Sequence, residues 1–465
     1  MAESFTWQWL IGHLEILIGF SIGVVLVTRV LRQRRSPTGT MAWLLAIVLI
    51  PYVGVPLYVM LGGRKMKRSA AGKLKTHFSR PSMRLNVPQT KVDELLESYN
   101  LPPACGGNHL ELLTDGCRIY HRLAELIDKA KSSIYISTFI FRTDPVGKDI
   151  LSRLTEKARQ GLDVRVLLDG FGAVQTGGRF FKPLVAAGGK YDFFMHRMFR
   201  GRTNLRNHRK IALFDSRIVL AGGSNIGSEY IGPVPDSKRW SDLSFVLEGP
   251  AVMGYREIFN SDWAFTTGQR LEIAAENPNQ LPFSDSESVT VQVVPSGPDV
   301  EGDPLYDAIM TAIFTAQHSI QIVTPYFIPD EPLLNAIQLA VRRGVDVRII
   351  VPAKSNHPLT DLARGIYLRD VSQSGAKVYY YAHGMIHAKA ILVDRTLVMI
   401  GSANMDSRSL FLNYEAMLIV YSPKPLLELR EWMDAIEQKC QKQGLEAGFV
   451  RTMLEHVLQL FAPLL

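Results

Sequence analysis

Apolar and polar positions divide the chain into an N-terminal part with long apolar runs and a larger part with short, alternating ones. Met41 to Leu61 holds 21 residues without a charge, most of them apolar. About 20 helical residues cross the ~30 Å hydrocarbon core of a bilayer. This run and an earlier segment at about 7–28 therefore predict a helical membrane region over residues 1–62. The earlier segment is more polar, with Gln8, His13 and Glu15 near its start. Trp7, Trp9 and Trp43 stand near segment ends, where interfacial aromatics belong. No basic stretch precedes the first apolar segment, which argues against a cleavable signal peptide. Residues 63–108 read as a basic linker that closes on Pro102-Pro103 and Gly106-Gly107.

Beyond the linker the pattern repeats. Ala130 to Ile136 matches Ala316 to Ile322, and Gly161 to Leu168 matches Gly344 to Val351. Between these pairs, Leu151, Leu154 and Ala158 in one copy and Leu334, Ile337 and Val341 in the other fall at helical spacing. Each copy reads strand, helix, strand, and the short β-rich apolar runs imply buried parallel strands. The expected fold is α/β: two homologous α/β/α halves, residues 109–285 and 286–465, related by a pseudo-twofold axis, the second half ending in helices. Gln269 to Pro304, rich in Asn, Pro, Ser and Asp, is the natural divider. Near the C-terminus, Phe449, Val450, Met453, Val457, Leu458 and Leu460-Phe461 are expected to pack on the core, with contact with a membrane surface as the alternative.

Charge changes this picture. The formal net charge is +8, a value that brings nucleic acid, a membrane surface or an acidic substrate into view. Residues 16–92, however, carry 13 Lys+Arg and no acid, whereas residues 93–465 carry 39 basic and 42 acidic residues. The positive charge thus marks where the chain meets an anionic bilayer, and the acidic balance of the remainder argues against a nucleic-acid partner. Basic clusters at 29–35 and 64–75 flank the 41–61 run. Two complete spans would place them on opposite sides, against the positive-inside rule for one of them. A re-entrant bend at Pro51 to Pro56 would leave both on the cytoplasmic side, together with the main domain. Three cysteines without a CxxC pair exclude a disulfide scaffold and a cysteine zinc site.

The repeat also carries chemistry. His208-Arg209-Lys210 is followed after four residues by Asp215, and His387-Ala388-Lys389 after four residues by Asp394, at an offset of 179 throughout. Asn225 and Asn404 follow at the same offset, in Gly222-Gly223-Ser224-Asn225 and Gly401-Ser402-Ala403-Asn404. In a strand, residues two apart share a face, so His and Lys of each HxK project together. Two halves about one axis would bring both pairs to one phosphodiester. One His attacks phosphorus and the other exchanges protons with the alcohol oxygens. The two Lys and two Asn hold the non-bridging oxygens. No cluster of carboxylates or histidines offers a metal cage, so a reaction without metal or cofactor is expected. Glu415 and Asp242, 28 and 34 residues beyond the His of their own halves, are the candidate acceptors that orient the imidazoles. Asp215 and Asp394 complete the motifs and are counted with the candidate catalytic residues, although their odd offset of seven past each His favours a structural salt bridge. Met195 to Lys210 holds Arg197, Arg200, Arg202, Arg206, Arg209 and Lys210 without an acid, and reads either as a solvated loop or as a receiver of anionic headgroups.

At these residues the chain resembles the phospholipase D superfamily and, more narrowly, the bacterial cardiolipin synthases. The narrower likeness rests on Ser36 to Trp43 with Pro51-Tyr52 and Pro56-Leu57-Tyr58, on Arg206 to Lys210, on Pro325 to Asp330, on Gly401 to Ser409, and on Asn413-Tyr414-Glu415. The resemblance implies transfer of a phosphatidyl group from one phosphatidylglycerol to another, with release of glycerol. It further implies His208 as nucleophile and His387 as acid and base, in a protein of the bacterial cytoplasmic membrane. A membrane-bound phospholipase D or another phosphatidyltransferase would use the same site. A nuclease fits poorly with the charge balance. A non-catalytic scaffold fits poorly with two complete motifs. The first copy has Gly223 where the second has Ser402, so a serine contact is not expected in the first half.

Overall fold

A computed structural model describes residues 21, 23–31, 37–52, 54, 55, 58, 73, 90–195, 205–271, 288–442 and 448–459. In the first half the strands are β1 (Cys105–Leu113), β2 (Ser133–Thr138), β3 (Asp163–Asp169), β4 (Lys190–Phe194), β5 (Ile211–Phe214), β6 (Ile218–Gly222) and β7 (Ser244–Glu248). The second half has β8 (Val289–Ser296), β9 (Ser319–Val323), the short β10 (Phe327–Ile328), β11 (Asp346–Pro352), β12 (Lys377–Tyr381), β13 (Ala390–Val393) and β14 (Leu397–Gly401). It continues with the short β15 (Met405–Asp406), then β16 (Glu415–Val420) and β17 (Cys440–Gln441). Helices Pro145–Arg159 and Glu331–Arg342 occupy equivalent crossovers, begun by the caps Asp144 and Asp330 with a proline in the first turn.

Among the described residues fifteen strands form one sheet in the order β17-β12-β11-β9-β13-β14-β16-β8-β1-β7-β6-β5-β2-β3-β4. Apart from the edge strand β17, the order is a palindrome about the antiparallel pair β8 and β1. The expected pseudo-twofold axis therefore passes between these two strands. Parallel pairs β2–β3–β4 and β9–β11–β12 are joined by the helical crossovers, as the repeated strand-helix-strand pattern predicted. One face of each half has its own core, but the opposite face has a core common to both. Phe245, Tyr255 and Trp263 of the first half pack there with Ile350, Leu429 and Met433 of the second.

Some expectations are overturned. The region read as linker contains helix Lys91–Ser98, whose Val92 and Leu96 are buried in the second-half core, and β1 begins inside it. Helix Phe449–Gln459 turns its apolar side outward: Phe449, Val450, Met453, Leu454 and Val457 are exposed, and the buried residue is Glu455, bonded by Arg369 and Arg451. Among the described residues expected in the core, only Leu458 packs there, and residues 460 and 461 lie outside the described residues.

Residues 1–66 belong to a separate unit. Among the described residues no helix is long and apolar enough to cross a membrane. The 41–61 run is not one helix. Helix Pro37–Leu49 stops before Pro51, and the chain turns back. Gly54 lies so close to the first limb that a Cβ would fall 2.0 Å from the Ala46 carbonyl oxygen. The Trp43 and Tyr58 rings meet edge to face at 5.3 Å, whereas a continuous helix would hold them about 22 Å apart. Residues 7–20 of the earlier segment lie outside the described residues.

The shared core predicts joint unfolding of the halves. Trp263→Ala, at a fully buried position, should lower stability by about 3–5 kcal/mol. Denaturant titration should show a single transition for residues 90–442, and two separated transitions would contradict the shared core.

Candidate active site

The site is built on alternation in two extended loops that precede β5 and β13. In the first, Asn207 and Arg209 point one way: Asn207 Nδ2 donates to Asp262 Oδ2 (3.0 Å) and Arg209 Nη1 to Asp262 Oδ1 (2.7 Å). His208 and Lys210 therefore point the other way, as the strand period requires. Arg209, read as part of a basic loop that is either solvated or receives headgroups, is fully buried. It also donates to the Ser296 and Glu415 carbonyls (3.2 and 3.1 Å) and lies against Asp299. Lys73 reaches the same two carboxylates, at 2.8 Å from Asp299 Oδ2 and in contact with Asp262, with its ammonium over the Tyr414 ring. Burial would raise the Asp299 pKa, but Arg209 and Lys73 outweigh it and hold the carboxyl below its ordinary range. Two buried cations thus face two buried anions directly behind His208.

Each histidine loop is zipped to a segment of the opposite half. The His208 amide donates to the Tyr414 carbonyl (2.9 Å) and the Tyr414 amide to the Arg206 carbonyl (2.8 Å). Likewise, the His387 amide donates to Ser241 (2.7 Å) and the Ser241 amide to Met385 (2.8 Å). This docking delivers the orienting carboxylates crosswise. His208 Nδ1 lies 3.0 Å from Glu415 Oε1, and His387 Nδ1 lies 2.8 Å from Asp242 Oδ2. The sequence assigned each acid to the histidine of its own half; the fold exchanges them. The phenyl ring of Phe139 packs on His208, and Tyr230 and Trp240 pack on His387.

The two carboxylates are fixed by different means. Glu415 Oε2 accepts from the Ser402 hydroxyl at 2.5 Å, and that hydroxyl accepts from the Ala416 amide at 3.0 Å. Asp242 Oδ1 accepts from the amide of Leu243 at 2.8 Å. At Gly223, the counterpart of Ser402, a Cβ would fall 2.1 Å from Asp242 Oδ1. The hydroxyl missing from the first copy is therefore a steric requirement.

Lys210 Nζ donates to the His208 carbonyl (2.7 Å), and Lys389 Nζ to the His387 carbonyl. Burial pushes the Lys210 pKa well below its usual range and lowers that of Lys389 to about 8. Burial and the adjacent Lys389 lower His387 to about 3, against the pull of Asp242, and burial likewise lowers His208. Each histidine also senses the lysine of the other half, which lowers its pKa further.

Asn225 Oδ1 accepts from the Ile140 amide (3.1 Å), and Asn404 Nδ2 donates to Ser409 Oγ (3.2 Å). Asp215 and Asp394 stand apart. Asp215 Oδ1 accepts from the amides of Ser132 (2.7 Å) and Ser133 (3.0 Å), and Asp394 Oδ1 from those of His318 and Ser319 (both 2.8 Å). Both adopt φ near +50°, at 51° and 52°, a left-handed conformation that Asp tolerates. They clamp turns through backbone amides in place of the expected salt bridge. Residues 196–204 of the basic loop lie outside the described residues. Sequence reading missed the Lys73–Asp262–Asp299 cluster and the aromatic packing. The Gly223/Ser402 difference was its one visible trace of how the acids are held.

Comparison with known proteins gives one consistent picture. Residues 123–263 and 309–437 match a family model described as cardiolipin synthase, PLD-like domain, and residues 22–63 one described as phospholipase D-nuclease N-terminal. The chain is 32% identical to cardiolipin synthase 1 of Bacillus cereus over 93% of its length and 90% of that protein. It is also 32% identical to the major cardiolipin synthase of Bacillus subtilis, over 88% of this chain and 90% of that one. A phosphatidylserine synthase structure from Haemophilus influenzae, at 19% identity, covers 81% of this chain and all of that one with a TM-score of 0.61, which shows a shared fold.

Two outcomes follow from the geometry. Ser402→Ala should lower turnover about tenfold by removing one charge-assisted hydrogen bond to Glu415. Gly223→Ser should cost more, because it displaces Asp242; equal activity of Gly223→Ser and the parent would refute the steric reading. The pH dependence of kcat/KM should show an alkaline limb near 8, as Lys389 loses its proton with rising pH. A profile flat through that range would refute a charged Lys389 at work.

Proposed function

The chain belongs to the PLD-like cardiolipin synthase family and is an enzyme of that kind, and from that premise we propose how its residues join two phosphatidylglycerol molecules. The observation that carries the mechanism is the crossed pair of His–carboxylate contacts. With Nδ1 of His208 held by Glu415, Nε2 is the nitrogen free to attack. It bonds to phosphorus of the donor while the bond from phosphorus to the glycerol headgroup oxygen breaks. His387 gives that oxygen its proton, and glycerol leaves. His387 then takes a proton from a hydroxyl of the second phosphatidylglycerol. That oxygen bonds to phosphorus, the phosphorus–nitrogen bond breaks, and cardiolipin is released with both histidines restored.

Lys210 and Lys389 oppose the negative charge on the non-bridging oxygens, and Asn225 and Asn404 add amide donors. The low His387 pKa gives the acid step a condition. An anionic phosphodiester bound beside the imidazole raises its pKa, so the acid is charged when substrate is present. Asp215 and Asp394 hold turns and take no part in the transfer. The groups named need no metal or cofactor.

The N-terminal unit associates with the membrane. Its reversed chain at Pro51 and its exposed Val24, Val25, Leu31, Leu45, Val48 and Leu49 support a re-entrant hairpin. Both basic clusters and the catalytic halves would then lie on the cytoplasmic face, against anionic lipid.

Purified protein with labelled phosphatidylglycerol should yield cardiolipin and glycerol; phosphatidic acid as main product would defeat the synthase reading. His208→Asn and His387→Asn should each abolish turnover. A covalent phosphatidyl-enzyme should accumulate in His387→Asn and be absent in His208→Asn, and the reverse pattern would exchange their roles. Single cysteines at positions 36 and 66 should be labelled from the same side of the membrane.

A further inference from the structure

Helix Phe449–Gln459 faces the opposite way from an ordinary amphipathic helix. At about 100° per residue, Phe449, Val450, Met453, Leu454 and Val457 fall within one arc of about 140°, and Glu455 stands across from its centre. In a globular domain such a stripe is turned to the core. Here all five side chains are exposed, Phe449 to 80% and Val450 to 71%, and Glu455 is buried.

The orientation is built into the neighbouring helix, Pro358–Gln373. A Cβ at Gly365 would fall 2.5 Å from Glu455 Oε1, so the carboxylate lies over a position that has no side chain. Arg369, one turn further on, donates to Glu455 Oε2, and Arg451 Nε donates to Oε1 at 2.9 Å. A glycine seat and two guanidiniums thus receive the acid and hold the apolar stripe outward.

Charge narrows what can cover that stripe. The one acid of the helix is buried and paired, so the helix exposes no carboxylate. Arg451 and His456 border the stripe on its two sides, and both are exposed. An apolar stripe edged by basic side chains complements an anionic lipid surface: acyl chains take the stripe, and phosphates take the cations. The supporting helix also leads back to the site. It starts after His357, whose ring meets that of Tyr326 at 5.6 Å, and Tyr326 Oη donates to Asn356 Oδ1 at 2.6 Å. Strand β10 follows Tyr326 and pairs with β15, which begins directly after Asn404.

We propose that helix Phe449–Gln459 lies in the headgroup layer of an anionic bilayer, its five apolar side chains toward the acyl chains and Arg451 toward the phosphates. This rests on the reading that both substrates are bilayer phosphatidylglycerol. The contact belongs to the second half itself and is separate from that of residues 1–66. It holds this half against the surface from which both lipids enter.

The test reads the helix in working protein. Full-length chain, with its own three cysteines replaced by alanine, receives one cysteine at Val450 or at Met453. An environment-sensitive dye is attached there, and the protein is reconstituted in phosphatidylglycerol vesicles. The emission should shift to the blue. It should then be quenched by lipid carrying a nitroxide on the acyl chain, most strongly with the nitroxide about 5–10 Å below the headgroups. A shifted emission that the nitroxide lipid leaves unquenched would overturn the proposal and assign the face to protein, from a second copy or from elsewhere in the chain. Emission unchanged from that of the dye in water would overturn it as well. Cardiolipin formed in the same vesicles keeps these outcomes separate from the reading beneath them, since its absence with the parent chain would remove that reading.

Discussion

Glu415 of the second half holds Nδ1 of His208 in the first, and Asp242 of the first half holds Nδ1 of His387 in the second. The remainder of the structure depends on this exchange. An imidazole presents the correct nitrogen only while an acceptor fixes the other, so neither half orients its own histidine. The continuous sheet, the antiparallel join of β8 to β1 and the core common to both halves are the means by which the exchange is held in register. They tie two segments far apart in sequence to positions that a hydrogen bond tolerates within tenths of an ångström.

The exchange has an electrostatic cost that the surroundings must offset. Two lysines and two imidazoles are desolvated within reach of one another's charge, and burial pulls all four toward the neutral form. Glu415 and Asp242 counter that pull. Behind the His208 loop, Arg209 and Lys73 are matched by Asp262 and Asp299, so the loop is fastened by charge where the sheet alone would leave it free. Removing one member of such a buried set costs about 3–5 kcal/mol. A desolvated, pre-oriented site is also one in which each cation acts strongly on developing phosphate charge.

What the sequence revealed follows from the range of the physics involved. Strands, crossover helices, the two HxK pairs and the matched asparagines rest on periods of two and 3.6 residues and on an exact repeat, all of which are local. The odd offset of Asp215 and Asp394 favoured a structural role, but the salt bridge it suggested gives way to backbone amides, which the spacing alone could not show. The crossing of the carboxylates was hidden because it depends on how the halves dock, at separations of 207 and 145 residues. Lys73 was hidden in a basic segment that read as a linker beside an anionic bilayer. Helix Phe449–Gln459 misled because its apolar spacing fits a core-facing helix, whereas an ion pair through Glu455 decides which side is buried. In the 41–61 run hydropathy spoke for a span and Pro51 for a break; the chain reverses there.

The unequal way in which the two carboxylates are held bears on how such a chain can change over time. Asp242 needs Gly223 beside it, and Glu415 leans on Ser402. If both halves descend from one duplicated ancestor, this pair of positions could not drift independently. Aspartate with serine collides, and glutamate with glycine lacks its hydroxyl partner. The two solutions are neighbouring valleys separated by a ridge, crossed only when both positions change in step. Once the halves had settled in different valleys, they ceased to be interchangeable.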